Sequence, residues 1–214
     1  SAPGEPARVT ETPARIIRVN HAVGGWNYGH HEIALHYDQA DPNFLENKGH
    51  TIELDFPQGS SISFDGAEYQ LKQLHFHTPS EHQIDGVTFP MEMHVVNMIE
   101  PKSKDDPPRY LVIGYLFKMG KEDPFIASFL GEVPAEEGGE KLVSGEVYIG
   151  NPNKRQEYYH YRGSLTTPPY TETVEWLIVK EIQQASPEQI RRVHQIEGDN
   201  ARRVQARYGR RVED

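Results

Sequence analysis

Hydrophobic and polar residues alternate with a period of two along much of the chain, as they do in β-strands with one buried face. The segments 51–56, 61–64 and 68–75 follow this pattern, and Asp65 and Gly66 separate the last two. An Asp-Gly pair between two alternating runs is typical of a two-residue turn. The sequence therefore predicts a β-hairpin at this position.

Four further runs extend the strand pattern. A second Asp-Gly pair, at 85–86, separates two short strand-like runs. The runs 110–117 and 171–180 are rich in β-branched and aromatic residues, which favours buried strands. Together these patterns predict a mostly antiparallel sheet.

Two short helices are predicted between the strands, each with a proline directly after its capping residue. The first begins after Asp123 and is expected to end at Gly131. The second begins after Ser186, where Gln189 occupies the third helical position of a capping box, and is expected to end at Gly198.

Composition limits the class of protein. The chain has 214 residues, of which 36% are hydrophobic and 25% charged, as expected for one soluble globular domain. Its formal net charge of -10 disfavours a nucleic-acid partner, and no apolar run reaches the roughly 20 residues that a membrane helix needs. Residues 1–15 have no periodicity and are expected to be flexible. Because the chain contains no cysteine, any metal must be bound by nitrogen or oxygen.

One pair of predicted strands carries candidate chemistry. Gln73, His75 and His77 share one strand face, and Glu92 and His94 share one face of the returning strand. Continuing the register of the Asp-Gly turn at 85–86 places His77 directly opposite His94. Opposed Cβ atoms lie roughly 5 Å apart, so three imidazoles can converge on one ion.

Three histidines without a fourth protein ligand are typical of a catalytic zinc site, because structural zinc sites have four protein ligands. Gln73 and Glu92 are placed to accept the second ring N–H of His75 and His94. The alternative is a set of hydrogen-bonded core histidines, and the shared register of all three favours the metal site. No function is assigned to the histidines without shared spacing, which are His21, His30, His31, His36, His82, His160 and His194.

A loop at 162–169 is the second candidate region. Gly163 and two prolines stiffen it, and it presents the adjacent hydroxyls of Thr166 and Thr167. Alone, this pattern favours a rigid turn. Beside a metal site, a rigid threonine can orient a metal-bound hydroxide.

Several motifs, taken in order, resemble those of the α-class carbonic anhydrases of bacterial type. These motifs are Asn47-Lys48-Gly49-His50-Thr51, His75-Phe76-His77, Ser80-Glu81-His82, Glu92-Met93-His94, Gly163 to Pro169, and the segment from Asn200 to Gln205 with Gly209-Arg210. The resemblance covers roughly residues 47–211.

The resemblance implies an α+β fold that is mostly β. Such a fold is a large, central, twisted and mainly antiparallel sheet with short peripheral helices. It implies that residues 16–214 form a single catalytic domain. The N-terminal motif of the family is only faintly matched at 24–29, so no role is transferred to Tyr28.

The implied activity is zinc-dependent, reversible hydration of carbon dioxide to bicarbonate and a proton by attack of zinc-bound hydroxide. His75, His77 and His94 would bind Zn²⁺, with Gln73 and Glu92 orienting His75 and His94. Three residues would act in catalysis: Thr166 orienting the hydroxide, Glu81 accepting from Thr166, and His50 shuttling protons. The substrate pocket would be lined by Val96, Val112, Leu165, Thr167 and Trp176.

The family also implies carbon dioxide and bicarbonate as the molecules bound, without nucleic acid or membrane insertion. Export to the periplasm or secretion, and a homodimer, are further expectations from family habit.

Two other interpretations stay open at this point. One is a non-catalytic carbonic-anhydrase-like binding module, although such domains characteristically lack one or more zinc ligands. The other is a different β-rich metalloenzyme with iron or manganese, in which Glu81 or Glu92 would bind the metal directly.

Overall fold

The protein is described from a computed structural model, which covers residues 16–19, 22–26, 31, 33–37, 43–147, 157–205 and 210–213. The prediction for residues 1–15 therefore lies outside the described residues, as does Tyr28. Within the described part, thirteen strands form one sheet and two short strands form a separate hairpin.

The strands are β1 (Ile16–Val19), β2 (Ala22–Trp26), β3 (Ile33–Tyr37), β4 (Asn43–Asn47), β5 (Ile52–Asp55), β6 (Ser61–Phe64), β7 (Ala67–His77), β8 (Gln83–Ile84), β9 (Val87–Thr88), β10 (Met91–Ile99), β11 (Arg109–Met119), β12 (Glu140–Val147), β13 (Tyr158–Gly163), β14 (Val174–Val179) and β15 (Gln183–Ala185). The helices are α1 (Pro124–Phe129) and α2 (Pro187–Glu197).

The main sheet runs in the order β1-β12-β4-β5-β7-β10-β11-β14-β13. Outside this order, β15 pairs with β11, β6 pairs with β7, β3 pairs with β6, and β2 pairs with β3. Three pairings between described strands are parallel, namely β1 with β12, β11 with β14 and β11 with β15. The remaining pairings are antiparallel. The predicted fold, a single domain with a large, mainly antiparallel sheet and short helices, is confirmed.

The first predicted hairpin is present. Strands β6 and β7 pair with Phe64 opposite Ala67. Asp65 and Gly66 between them have φ angles of 48° and 82°. Two positive φ values define the turn type whose twist matches that of the flanking strands, which explains the Asp-Gly pair.

The second Asp-Gly pair also forms a turn, with Ile84 opposite Val87. The predicted register beyond it is wrong, because His94 lies opposite His75, not opposite His77. The small hairpin of β8 and β9 does not continue into β7 and β10. Between the pairs Gln83–Thr88 and His77–Glu92, one side has the five residues 78–82 and the other has the three residues 89–91. The two extra residues shift the register by two, and a shift of two keeps every side chain on its predicted face.

Helix α1 begins as predicted, since Asp123 Oδ1 accepts a hydrogen bond from Ile126 N at 2.9 Å. The predicted end at Gly131 is wrong. The α-helix ends at Phe129, and Gly131 lies inside a 3₁₀ turn at Leu130–Glu132. The buried Leu130 holds this extra turn against the core, so the chain continues past the glycine.

Helix α2 has the complete predicted capping box. Ser186 Oγ accepts from Gln189 N, and Gln189 Oε1 accepts from Ser186 N at 3.0 Å. Gly198, with a φ of 68°, ends the helix as predicted, and its N–H bonds back to His194 O at 2.8 Å. No helix among the described residues is long and apolar enough to cross a membrane.

Apolar side chains pack in two clusters on opposite sides of the central strands. Leu74, Phe76 and Val95 belong to the larger cluster. The smaller cluster consists of the buried residues Val96, Val112, Leu116, Val174, Trp176 and Ile178. Because side chains alternate along a strand, the histidines of β7 and β10 lie on the face opposite the larger cluster.

Candidate active site

The three predicted ligands converge. The ring centroids are 5.0 Å apart for His75 and His77, 5.2 Å for His75 and His94, and 4.7 Å for His77 and His94. One nitrogen from each ring lies within 4.8 Å of the others. His77 and His94 are buried, so these side chains are held in a protected position.

Each ring is fixed by one hydrogen bond. His75 Nδ1 donates to Gln73 Oε1 at 2.7 Å, His77 Nδ1 donates to the backbone oxygen of Asn200 at 3.1 Å, and His94 Nε2 donates to Glu92 Oε2 at 2.5 Å. These bonds leave Nε2 of His75, Nε2 of His77 and Nδ1 of His94 available to a metal. Such outer partners set both the tautomer and the orientation of a ligating imidazole.

The centre contains buried polar atoms without partners. His77 Nε2 and Glu81 Oε1 are both buried without a hydrogen bond, and they lie 3.1 Å apart. Buried polar atoms are rarely left unpaired, and a cation accounts for such a site. The residues present therefore fit a zinc ion bound by three imidazole nitrogens.

Burial controls the charge of two ligands. It lowers the pKa of His75 well below its usual range and the pKa of His77 to about 3. Both rings are therefore neutral at physiological pH, which is the form that binds a metal.

His94 and Glu92 shift each other's pKa. Burial lowers the pKa of His94, but the charge and hydrogen bond of Glu92 outweigh burial and raise it. Burial raises the pKa of Glu92, but His82 and His94 outweigh burial and hold it well below its usual range. Glu92 is therefore an ionised acceptor behind His94.

Glu81 lies close to Thr166 and to the backbone of Arg202. Arg202 N donates to Glu81 Oε2 at 2.8 Å, and the Thr166 hydroxyl interacts with the same carboxylate. Burial is the main cause of a raised pKa of Glu81, and its interactions with Thr166 and Arg202 oppose it.

Four of the five predicted pocket residues lie together beside the histidines. Val96, Val112 and Trp176 are buried in the smaller apolar cluster, and Leu165 packs against it. The Trp176 ring lies 4.9 Å from that of His94. The fifth residue, Thr167, is exposed.

His50 lies in the connection between β4 and β5, and it is exposed. Its backbone oxygen accepts a hydrogen bond from Asn200 Nδ2 at 2.9 Å. The backbone oxygen of the same asparagine holds His77. The backbone at His50 is thereby tied to the histidine centre, while its imidazole faces water.

His82 is part of the site, although the sequence interpretation assigned it no function. Its backbone N and Nδ1 donate to Glu92 at 2.8 Å and 2.7 Å, and Nε2 contacts the hydroxyl of Tyr161. The Ser80-Glu81-His82 motif was the feature of the sequence that could have indicated that His82 belongs to the site.

Asn200 and Arg202 are two further residues whose contacts the sequence did not predict. Asn200 holds Thr78 N through Oδ1 at 2.9 Å in addition to His77, and Arg202 holds Glu81. Both lie in the C-terminal motif, whose spacing alone does not indicate which strands it contacts.

Three imidazoles on a large sheet, with a threonine–glutamate pair beside an apolar pocket, define a metal centre of the α-carbonic-anhydrase type. The family model described as eukaryotic-type carbonic anhydrase matches residues 23–214. The chain belongs to this family.

Individual relatives support the assignment. A carbonic anhydrase of Neisseria gonorrhoeae is 39% identical over 172 residues, which cover 75% of this chain and 62% of that protein. Dioscorin dioA3 of Dioscorea japonica is 34% identical over 164 residues, which cover 73% of this chain and 57% of that protein. The chain thus spans about three fifths of the length of these curated relatives.

A solved structure has the same fold. The α-carbonic anhydrase of Thermovibrio ammonificans, in complex with the inhibitor sulfanilamide, superposes with a TM-score of 0.73 at 31% identity. The match covers 94% of this chain and 85% of that chain.

Proposed function

We propose that the protein catalyses the reversible hydration of carbon dioxide to bicarbonate and a proton, with zinc as its cofactor. The observation that carries this proposal is the convergence of His75, His77 and His94 beside the Glu81–Thr166 pair. The family, and relatives that bear the name carbonic anhydrase, support it.

His75, His77 and His94 are the proposed zinc ligands. Zinc held there would act as a Lewis acid that lowers the pKa of a water molecule to about 7, so that hydroxide is available near neutral pH. Gln73 and Glu92 orient His75 and His94 through the hydrogen bonds described above. The unpartnered, buried His77 Nε2 supports this assignment.

Thr166 and Glu81 are proposed to orient the nucleophile. In this proposal the Thr166 hydroxyl donates a hydrogen bond to the nearby Glu81 carboxylate, so that the Thr166 oxygen can only accept a hydrogen bond from the attacking group. The attacking group must therefore still carry a proton that it can donate to Thr166. The lone pair of the attacking group then points away from Thr166. Fixed hydrogen bonds of this kind lower the barrier because little reorganisation is needed during the reaction.

The apolar wall is proposed to hold carbon dioxide. Val96, Val112, Leu165 and Trp176 offer no hydrogen bonds from their aliphatic and ring surfaces, and Trp176 Nε1 already donates to Ser164 O at 3.0 Å. Carbon dioxide has no net dipole, so such a surface can bind it weakly while excluding water. Thr167, at the exposed rim, is proposed to contact the more polar bicarbonate.

His50 is proposed to carry the released proton to solvent, since its side chain is exposed and its backbone is tied to the histidine centre through Asn200. Export from the cell and a homodimer remain expectations from the family.

The two rival interpretations differ in what they require of the carboxylates. Glu92 accepts hydrogen bonds from the His94 and His82 rings and from the backbone N–H groups of Glu81 and His82. Both of its oxygens are therefore engaged in hydrogen bonds and are not free to bind a metal. An iron or manganese centre would therefore need Glu81 as its ligand. Dioscorin dioA3 is a relative that does not bear the name carbonic anhydrase. A non-catalytic binding module is therefore the other outcome that the test has to distinguish.

The test is stopped-flow carbon dioxide hydration with a pH indicator, on zinc-loaded and on chelator-stripped protein. Zinc-loaded protein is expected to exceed the background rate, and stripped protein to regain activity with zinc but not with iron or manganese. His94→Ala is expected to reduce turnover at least about a hundredfold. The matched control is His36→Ala, an exposed histidine of β3, which should match wild type.

Zinc-replete wild type without turnover above background would overturn the proposal in favour of a binding module. Activity restored by iron or manganese instead of zinc would overturn it in favour of a different metalloenzyme.

A further inference from the structure

A second cluster of metal-ligating side chains lies outside the active site. It consists of His31, His160 and Glu213. His160 belongs to β13, at one end of the sheet, and Glu213 pairs with it through two backbone hydrogen bonds of 2.9 Å. His31 lies just before β3. Three segments that are far apart in sequence therefore meet at one point.

One oxygen stands between two imidazoles in this cluster. Glu213 Oε2 lies 2.5 Å from His31 Nε2 and 3.2 Å from His160 Nδ1. The two rings are 4.4 Å apart at an angle of 64°. The three candidate ligand atoms all lie within 4.8 Å of one another.

The far side of each imidazole is held by a further carboxylate. His31 Nδ1 lies 2.6 Å from Asp65 Oδ2, and His160 Nε2 lies 2.6 Å from Glu175 Oε2. A carboxylate behind a histidine fixes the ring N–H on that side and is the usual outer partner of a metal-binding imidazole. The nitrogens that face Glu213 are then the ones left to bind a cation, and either a metal ion or a proton can fill this position.

The charge of the cluster suits a divalent ion. Asp65, Glu175 and Glu213 are three carboxylates, and Arg162 Nε donates to Glu175 at 3.0 Å. With neutral imidazoles, two negative charges remain for a divalent cation to balance. The ring of Phe64 stacks on His31 at 4.9 Å and lies 5.3 Å from His160, so that one flank is apolar.

We propose that His31, His160 and Glu213 bind a second zinc ion, separate from the catalytic one. Two imidazoles and one carboxylate are a donor set that zinc accepts, with water able to complete the coordination. The ion would tie the segment before β3 and the C-terminal segment to β13. In a chain without cysteine, it would take the place of a disulfide as a cross-link.

A proton is the competitor for this position. Burial lowers the pKa of His31, but its hydrogen bonds to Asp65 and Glu213 outweigh burial and raise it. A doubly protonated His31 would satisfy Asp65 and Glu213 without a metal, so the experiment has to distinguish a bound proton from a bound zinc ion.

The experiment counts zinc in the full chain by equilibrium dialysis of metal-free protein against zinc chloride, followed by elemental analysis. Wild type is expected to bind two zinc ions. Glu213→Gln, which keeps the side-chain shape, and His31→Ala are each expected to bind one and to retain carbon dioxide hydration. His36→Ala is the matched control and is expected to bind two.

A second readout uses the His94→Ala background, in which the catalytic site is disabled. Zinc is expected to raise the melting temperature of His94→Ala by several degrees and to leave that of His94→Ala/Glu213→Gln unchanged. This readout does not depend on catalysis, so it distinguishes failure of the second site from failure of the proposed activity. One zinc ion in wild type and in Glu213→Gln alike, with no thermal shift in His94→Ala, would overturn the proposal and leave a proton-bridged network.

Discussion

At the scale of single residues, the three histidines of the active site are held by acceptors of different strength. Gln73 offers an amide oxygen, Asn200 a backbone oxygen and Glu92 a carboxylate. The carboxylate makes the attached imidazole the most basic of the three, because it partly takes up the ring proton. Since Glu92 also accepts from His82, its orientation is fixed from two sides.

His50 gives a prediction at the same scale. Replacing it with alanine should lower turnover about tenfold or more in weak buffer, because proton release then depends on water. Added imidazole should restore part of the rate. Stopped-flow hydration at increasing buffer concentration measures both effects, with His36→Ala as the control. If His50→Ala turns over at the wild-type rate in weak buffer, the proton leaves by another route.

At the scale of elements, the close packing of β10, β11 and β14 determines how well the ligands are held. Gly114 of β11 lies opposite His94. A Cβ at this position would lie 2.9 Å from Ile178 Cδ1 and 3.1 Å from Glu92 Oε2. The glycine is therefore required by close approach to the carboxylate that orients His94.

Gly114→Ala is expected to destabilise the fold by about 1–3 kcal/mol and to weaken zinc binding about tenfold or more, because it displaces Glu92 or Ile178. Urea unfolding and competition with a chromophoric chelator measure the two effects. Gly131→Ala is the matched control, since a Cβ there meets nothing within 4 Å. Equal zinc affinity in Gly114→Ala and wild type would show that Glu92 is held by other contacts.

At the scale of the whole molecule, α2 is joined to the sheet through a buried carboxylate. Glu197 is 5% exposed, and its oxygens accept from Ile52 N at 3.2 Å and from Thr78 Oγ1 at 3.4 Å. Burial, only partly offset by these hydrogen bonds, raises its pKa to about 9. The folded protein therefore holds a protonated glutamate at neutral pH, whereas the unfolded chain ionises it.

The sign of the pH dependence follows. A carboxyl group with a raised folded-state pKa contributes its stability fully at low pH and loses it as pH rises from its unfolded pKa toward about 9. Glu197→Gln should remove this loss, and it should be more stable than wild type by about 4–5 kcal/mol at pH 8 and nearly equal to it near pH 4.

Urea unfolding across this pH range measures the difference. Glu188→Gln, at an exposed position of the same helix, is the control, and its effect should stay within about 0.5 kcal/mol. Parallel stability profiles of Glu197→Gln and wild type would contradict a protonated Glu197.

The sequence by itself determined the features that depend on neighbouring residues. The period of two placed His75 and His77 on one strand face and His94 on the matching face of the next strand, and the Asp-Gly pairs placed the turns. The capping residues Asp123 and Ser186 placed the helix starts. These features are local because side-chain direction along a strand, turn type and helix caps depend on a few consecutive residues.

Only the tertiary structure decided which distant segments meet. The register of β7 and β10 depended on how the chain at 78–82 folds, which no periodic pattern specifies. The contact of Asn200 with His77 joins segments more than a hundred residues apart. The contact of His31 with Glu213 joins segments near opposite ends of the chain. Such contacts depend on the order of strands in the sheet and on the path of the C-terminal segment across it. Alternation along one strand fixes the face of a side chain, but not the partner that this face will meet.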